Sequence, residues 1–330
     1  MNITYFFRKQ GYSIEKVFSS ISAYFDRQHK TKVKKHYLQS NRANLKAILL
    51  NGVSVFKKRN DINHITGDIH YIALALSPKK TILTIHDCVM IEDSKGLRKM
   101  MLRLLWLSLP VKHLTYITAI SEKTKQDIIK YTHCPPDKVR VIYNPVDSSF
   151  SYKPQVFNAE CPRILHFCIS PNKNTIRVLE ALEGLEVHLV LIGYLSQTLK
   201  DRLFSSTISH ENLYDLTDAE IISAYQDADL ILFPSYFEGF GMPIIEAQAV
   251  GRCVITSNIA PMTEIAADSA HLVDPFDVQS IKKGVIKIIQ DEAYRESLIE
   301  KGLENVKRFE IKNIAEQYAD IYNAILHKTK

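Results

Sequence analysis

The sequence predicts an α/β protein made of two doubly wound parallel sheets, and three observations carry that prediction. The chain has 330 residues, long for one hydrophobic core and suited to two. Short apolar runs alternate with stretches of helical periodicity along nearly all of it, the pattern of parallel strands joined by helical crossovers. Near the middle, Asn144 to Asn158 breaks periodicity with Pro145, Ser148, Ser149, Ser151 and Pro154, which reads as a linker. The expected domains are residues 1–150 and 155–310.

In the first half the strand candidates are Ile3 to Phe7, Ile62 to Ile65, Thr81 to Ile85, Leu114 to Ala119 and Val139 to Tyr143, with helical stretches between them. The second half alternates more cleanly. Arg163 to Ile169 is a strand, Thr175 to Leu185 a helix, Val187 to Ile192 a strand ending at Gly193, and Ala219 to Gln226 a helix. Strands at Leu230 to Phe233, Cys253 to Thr256 and Ala270 to Val273 follow, and beyond Asp277 the chain is helical. In the last segment Ile314, Ala315, Tyr318, Ile321, Tyr322 and Ile325 recur at helical spacing, so one face of it must pack on something.

Composition is that of an ordinary soluble protein, 46% hydrophobic and 24% charged. No apolar run is long enough to span a bilayer. The start, Met1-Asn-Ile-Thr-Tyr-Phe-Phe-Arg-Lys, puts its charges after a short apolar stretch, the reverse of a secretory signal, so cytosolic residence is the default expectation. Cys88, Cys134, Cys161, Cys168 and Cys253 form no CxxC pair and read as buried free thiols. The net charge of +6 is unevenly placed. Residues 1–150 carry 25 Lys and Arg against 11 Asp and Glu, and the remainder 17 against 25. A basic half of this kind suits an anionic membrane or an anionic acceptor. Nucleic acid is excluded as a partner, because neither aromatic-basic interleaving nor a helix-turn-helix pattern accompanies the charge.

The chemistry is concentrated in Phe233-Pro-Ser-Tyr-Phe-Glu-Gly-Phe-Gly-Met-Pro-Ile-Ile-Glu246, directly after a strand. Gly239, Phe240 and Gly241 form a tight turn, with Met242 beside it and Pro243 suited to the first helical position, and Gly251 ends the helix. A strand, a glycine turn and a helix N-terminus make an anion site, where free N–H groups and the helix dipole favour a phosphate. Glu238 and Glu246 would repel a diphosphate they touched, but make sense at its two ends, one accepting hydrogen bonds from sugar hydroxyls and the other from a ribose. That describes a nucleotide sugar. Each feature also has a structural reading: a glutamate in a first helical turn is favoured by the dipole alone, and Gly-x-Gly after a strand is common.

Together these residues resemble the glutamate-x7-glutamate motif of the retaining glycosyltransferases of GT-B type, glycosyltransferase family 4 or glycosyl transferases group 1. The resemblance extends through Asn63-His-Ile-Thr-Gly-Asp-Ile-His70, Thr84-Ile-His-Asp87, Ile120-Ser-Glu122, Val141-Ile-Tyr-Asn-Pro-Val-Asp147, Pro171-Asn-Lys-Asn174 and Asp274-Pro-Phe-Asp277. It implies two Rossmann-like domains facing a cleft, with the final helix, about 311–330, crossing back onto the N-terminal domain. It also implies transfer of a hexose from a nucleotide-sugar donor to a glycan or lipid-linked acceptor in bacterial surface polysaccharide synthesis, on the inner face of the cytoplasmic membrane.

Within that resemblance, Lys173 binds the donor diphosphate, Glu238 the sugar and Glu246 the ribose, while His86 reaches the donor from the opposite wall and stabilises charge. His86 and Glu238 are the catalytic candidates. The chain departs from the family at Cys168-Ile169, where a Gly-Thr-like pair is usual. Asn174 suits an N-cap. His64, Thr66 and Gly67, with Asp68 and His70, shape the acceptor side, although Gly67 and Asp68 also read as a turn and cap. No metal or other cofactor is expected: His64, His70 and His86 lack ligand spacing. Asp227-Ala-Asp229 precedes its strand and so reads as a turn of solvated aspartates. The basic segment Leu97 to Lys112, which holds the only tryptophan, either packs its apolar side in the core or docks on an anionic membrane. Two other functions compete: a noncatalytic nucleotide-sugar-binding scaffold, and a glycoside hydrolase using the two glutamates. A dehydrogenase is weaker, since Gly239 and Gly241 lack the third glycine and open no N-terminal βαβ unit.

Overall fold

The computed structural model describes residues 1–9, 13–28, 31–40 and 45–327. It divides into two compact units, Met1–Pro145 with Ile311–Lys330, and Val146–Glu310. The first unit holds strands β1 (Asn2–Phe7), β2 (Lys32–Tyr37), β3 (Ile62–Ile65), β4 (Thr81–Ile85), β5 (Tyr116–Ala119) and β6 (Val139–Val141) in the order β2-β1-β3-β4-β5-β6. The second holds β7 (Arg163–Phe167), β8 (His188–Ile192), β9 (Ser209–Leu213), β10 (Leu230–Phe233), β11 (Cys253–Ser257) and β12 (His271–Val273) in the order β12-β11-β10-β7-β8-β9. Every neighbouring pair is parallel. The strand order reverses between β1 and β3 in one sheet and between β7 and β10 in the other, and such reversals open a crevice beyond the carboxyl ends.

Strands β3, β4, β10 and β11 are buried along their whole length; β10 (LILF) accordingly reads as a continuous apolar run, and the other three bury Asn, His, Thr or Ser side chains among apolar ones. Two strands escaped the sequence reading for the opposite reason. Both β2 (KVKKHY) and β9 (SHENL) are sheet edges, largely exposed and polar, and the lysines of β2 protect an open edge from pairing with other chains.

The boundary falls after Pro145, so the irregular stretch belongs to the second unit. Residues 146–162 contain neither helix nor strand and are tied down by Asp229. Its carboxylate accepts from the Arg163 amide at 2.8 Å, the Asn158 amide at 3.2 Å and the Gln155 side chain at 3.0 Å. Asp229 is therefore buried and structural, not solvated; Asp227 is the exposed member, paired with Lys153 at 3.2 Å.

The final helix, Ile311–His327, belongs to the first unit and buries Ile314, Ala315, Tyr318, Ile321, Tyr322 and Ile325. The Tyr322 hydroxyl lies 2.8 Å from His64 Nδ1 and 3.0 Å from the Tyr5 hydroxyl. Helix Thr175–Leu182 is a turn shorter than its periodicity predicts. The Leu97 to Lys112 segment is three pieces: helix Gly96–Leu102, a π-helical turn Arg103–Ser108, and helix Leu109–His113.

Gly193, just beyond β8, has φ +126 and lets the chain after β7 pass close. A Cβ there would lie 2.6 Å from the Ile169 side chain and 3.2 Å from its backbone nitrogen. Gly193→Ala is expected to destabilise the second unit by about 2 kcal/mol through positive φ and that clash. Urea denaturation checks this, and an unchanged midpoint would contradict it.

Candidate functional site

The loops that follow β7 and β10 flank the strand-order reversal of the second unit, and the sequence places both its lysine and its glutamates there. His166 in β7 begins the arrangement. Its Nδ1–H donates to the Leu232 carbonyl at 2.8 Å and its Nε2 accepts from Thr175 at 3.0 Å, which pins β7 to β10 and to the following helix. Burial pushes its pKa down to about 4, so the ring is neutral. Asn174, expected as an N-cap, instead takes a left-handed conformation (φ 66) with no capping bond. Its Nδ2 donates to the Pro234 carbonyl at 3.0 Å and the Pro275 carbonyl at 2.7 Å, so it fastens the β7 loop to the β10 loop.

Between those loops Lys173 Nζ and Glu238 Oε1 are 2.6 Å apart, with side chains only 10% and 14% exposed. The Lys173 ammonium also sits 4.8 Å from the Phe233 ring centroid. Asn172 Nδ2 donates to the Phe237 carbonyl at 2.9 Å and approaches Glu238 Oε1 at 3.4 Å. Both side-chain contacts of Glu238 use one oxygen, which leaves Oε2 able to accept from a ligand hydroxyl.

Helix Met242–Ala249 starts next to this pair, with Gly241 at φ 112 as its N-cap, Pro243 in its first positions, no side-chain cap and no acid in its first turn. Its dipole and first amides favour an anion beside Lys173. Phe240 is corrected: its ring is buried and packs edge-on against Phe309 at 5.8 Å, so only its backbone belongs to the turn. Glu246 is corrected as well, because it lies in the second turn of the helix and the dipole does not explain it. The buried hydroxyl of Tyr225 donates to Glu246 Oε2 at 2.6 Å, and burial together with that carboxylate holds the phenol well above its ordinary pKa. One helical turn before Tyr225, Ile221 lines a hollow of about 280 Å³ with Gly193, Tyr194 and Tyr214, beyond the ends of β8 and β9. Tyr225, Tyr194 and Tyr214 were missed because their contribution depends on loop and helix packing, which has no spacing signature.

In the first unit, His86 follows β4 and its Nε2–H donates to the Thr66 carbonyl at 2.7 Å. A carbonyl only accepts, so the neutral ring carries its proton on Nε2 and presents Nδ1 as an acceptor, where a donating imidazole was expected. Burial lowers the His86 pKa. His86 lines a hollow of about 460 Å³ with Asp68, Asp87, Asp93, Arg98 and Trp106. Thr66 is buried and donates to the Phe6 carbonyl at 2.8 Å, and a Cβ on Gly67 would meet Ile14 at 3.0 Å. His64 lies outside this surface, contrary to expectation. It is inside β3 and fully buried, with Nδ1 against the Tyr322 hydroxyl and Nε2 2.7 Å from the Thr84 hydroxyl, so it is a core residue. His70, in contrast, lines the same hollow as His86 while largely buried, its Nδ1–H donating to the Trp106 carbonyl at 2.7 Å.

Among the described residues, no group of three or more His, Cys, Asp and Glu is placed to hold a metal ion. All five cysteines are free, with Cys88, Cys168 and Cys253 buried, Cys134 half-buried and Cys161 exposed. No helix of the described residues is long and apolar enough to cross a membrane.

Residues 168–305 match the family described as Glycosyl transferases group 1, and residues 24–150 match Glycosyltransferase Family 4. Each half of the chain thus matches a glycosyltransferase family model. The chain is 27% identical, over 63% of its length and 60% of the other, to O-antigen chain mannosyltransferase B of Escherichia coli. It is 28% identical to the serotype-specific mannosyltransferase WbdA of Escherichia coli over 65% of this chain and 29% of that one. The chain thus spans less than two thirds of the length of either relative. The HepE structure of Anabaena, in complex with UDP and glucose, superposes with a TM-score of 0.79 at 17% identity, covering 98% of this chain and 100% of that one.

Proposed function

We propose that this glycosyltransferase moves a hexose from a nucleotide-sugar donor to a hydroxyl of a lipid-linked glycan, in the synthesis of a bacterial surface polysaccharide. The observation that carries the reading is the buried Lys173–Glu238 pair at the N-terminus of helix Met242–Ala249. A diphosphate bridging Lys173 and the helix amides puts the sugar on Glu238 Oε2 and the ribose on Glu246, with the base directed to the hollow at Tyr194 and Tyr214. The second unit then holds the donor and the first the acceptor.

The positive charge that a divalent metal supplies in other transferases is provided here by Lys173 and the helix dipole, so the reaction proceeds without one. Departure of the diphosphate and attack by the acceptor hydroxyl occur on the same face of the sugar, with the leaving phosphate taking the hydroxyl proton. The configuration is retained. His86, neutral and protonated on Nε2, accepts a hydrogen bond from a sugar hydroxyl through Nδ1. The family assignment, the O-antigen relatives and the donor complex of HepE support this reading. Peripheral contact with the inner face of the cytoplasmic membrane suits helix Leu45–Lys58, which exposes Leu49, Leu50, Val53 and Phe56 beside Lys46, Lys57 and Lys58.

Purified protein is to be screened against UDP-, GDP- and ADP-sugars for binding and for nucleotide release with acceptor extracts. Binding of none would overturn the proposal. Binding without release would favour the scaffold, and cleavage of an unactivated glycoside would favour the hydrolase. Glu246→Ala is expected to weaken donor binding about tenfold or more, the loss of one charge-assisted hydrogen bond. Unchanged affinity in calorimetry would remove the ribose role.

A further inference from the structure

The first unit carries a second hollow, of about 610 Å³, adjoining the one that contains His86. The two share Asp68, Met90, Arg98 and Trp106 as a common wall. Their characters differ. The His86 side carries the carboxylates Asp68, Asp87 and Asp93 among apolar neighbours such as Val89 and Ile91, and the far side is lined mainly by Tyr71, Leu97, Met101, Leu102 and Leu105 together with Arg8 and Arg98. Its size is that of a small-ligand pocket.

Three details separate it from an ordinary surface depression. First, two of its lining residues are exposed apolar side chains, Leu97 at 68% and Met101 at 52%, and Met100 and Leu104 expose more apolar surface on the same segment. Second, the π-helical turn Arg103–Ser108 turns Trp106 inward, and the indole N–H is already used on the Asp68 carbonyl at 2.8 Å, so the ring offers only apolar surface. Third, Arg98 on the shared wall has no carboxylate partner among the described residues, whereas Arg8 is paired with Asp68 at 2.8 Å. Lys95 and Lys99 flank Arg98 on the same segment. An apolar hollow and an unpaired cation next to a polar hollow are complementary to one kind of molecule, an apolar chain joined through phosphate to a polar head.

We propose that the apolar hollow is the chain subsite for the acceptor, with its phosphate on Arg98 and its glycan beside His86. This rests on the lipid-linked acceptor proposed above and adds to it the residues that hold its chain and its phosphate.

Trp106 is the only tryptophan, so the protein carries its own reporter. The intact protein is to be titrated with farnesyl phosphate below its micellar concentration while tryptophan emission is followed. A saturable emission change is expected, with none from inorganic phosphate. The double variant Leu97→Asp, Met101→Asp, at two exposed positions, should weaken the response about tenfold or more. Arg98→Gln should weaken farnesyl phosphate about tenfold and leave farnesol unaffected. No saturable change, or variants equal to wild type, would overturn the assignment. An equal response to phosphatidylglycerol vesicles without farnesyl phosphate would also overturn it, by making the region a bilayer-docking face. Calorimetry with nucleotide sugars separates the two proposals: donor binding without farnesyl phosphate binding refutes only the subsite. Farnesyl phosphate binding without any donor binding refutes the acceptor role together with the transferase reading.

Discussion

Lys173→Met is expected to lower the transfer rate by about 100- to 1,000-fold, the scale of removing one preorganised group that stabilises developing charge. Lys173 and Glu238 are 2.6 Å apart and both almost buried, so the ammonium holds the carboxylate in place and, in the proposed reading, at the same time faces the leaving diphosphate. Removing it leaves Glu238 without its cation in a dry setting, which displaces the group that positions the sugar. The loss should therefore appear in the chemical step, with kcat falling more than KM rises. A cycle with Glu238→Gln makes the expectation sharper. Residues that act as a unit are non-additive, so the double variant should be little slower than Lys173→Met alone. Nucleotide release followed in single turnovers checks both statements. Full activity of Lys173→Met would remove the lysine from the mechanism, and additive losses would mean that the pair does not act as one device.

The sequence made the central strands legible because a strand buried on both faces is largely apolar, as Leu230 to Phe233 is throughout and Thr81 to Ile85 is apart from Thr81 and Thr84. It hid β2 and β9 because an edge strand needs only half its surroundings, and Lys32, Lys34 and Lys35 satisfy the edge with charge. The loops after β7 and β10 were legible for a related reason. Gly241 and Lys173 have a backbone or charge requirement visible in one dimension, and the strand before each gives its direction. What stayed hidden depends on contacts between residues far apart in the chain. Tyr225 meets Glu246 across 21 positions, and Asn174 ties two loops where a cap was expected. His64 shows the limit most plainly. It stands inside the strand read as Ile62 to Ile65, and its contacts with Tyr322 and Thr84, distant in the chain, decide that its ring is a core group and not part of the acceptor side.

Acidification from pH 7 to pH 5 is expected to destabilise the first unit by about 4 kcal/mol and the second by about 2 kcal/mol. The cause is a set of buried neutral histidines. Burial pushes His64 down to about 3, His70 to about 4 and His166 to about 4, each from an ordinary value of 6.5. A lowered folded pKa means that the unfolded chain binds the extra proton, so this stability is complete above pH 6.5 and is lost as pH falls toward the folded values. At pH 5 the loss does not depend on how far below 5 each folded value lies. It is set by the 1.5 units between 5 and 6.5, about 2 kcal/mol per ring at 1.36 kcal/mol per unit. His64 and His70 both belong to the first unit, and His86, also lowered, adds to them, while in the second unit the large shift is that of His166. His36 and His271 shift in the same direction, one in each unit, and leave the comparison unchanged. Against a typical stability of about 5 to 15 kcal/mol the first unit should open first. Trp106 reports on that unit alone, so its emission should lose native character at higher pH, or at lower urea at pH 5, than the circular dichroism of the whole chain. Replacing His64 with Gln, which keeps one donor and one acceptor between Tyr322 and Thr84, should flatten the pH slope of the first unit even if it lowers its stability at pH 7. Stability of the first unit that does not change between pH 7 and pH 5 would show that these rings do not stay neutral in the fold.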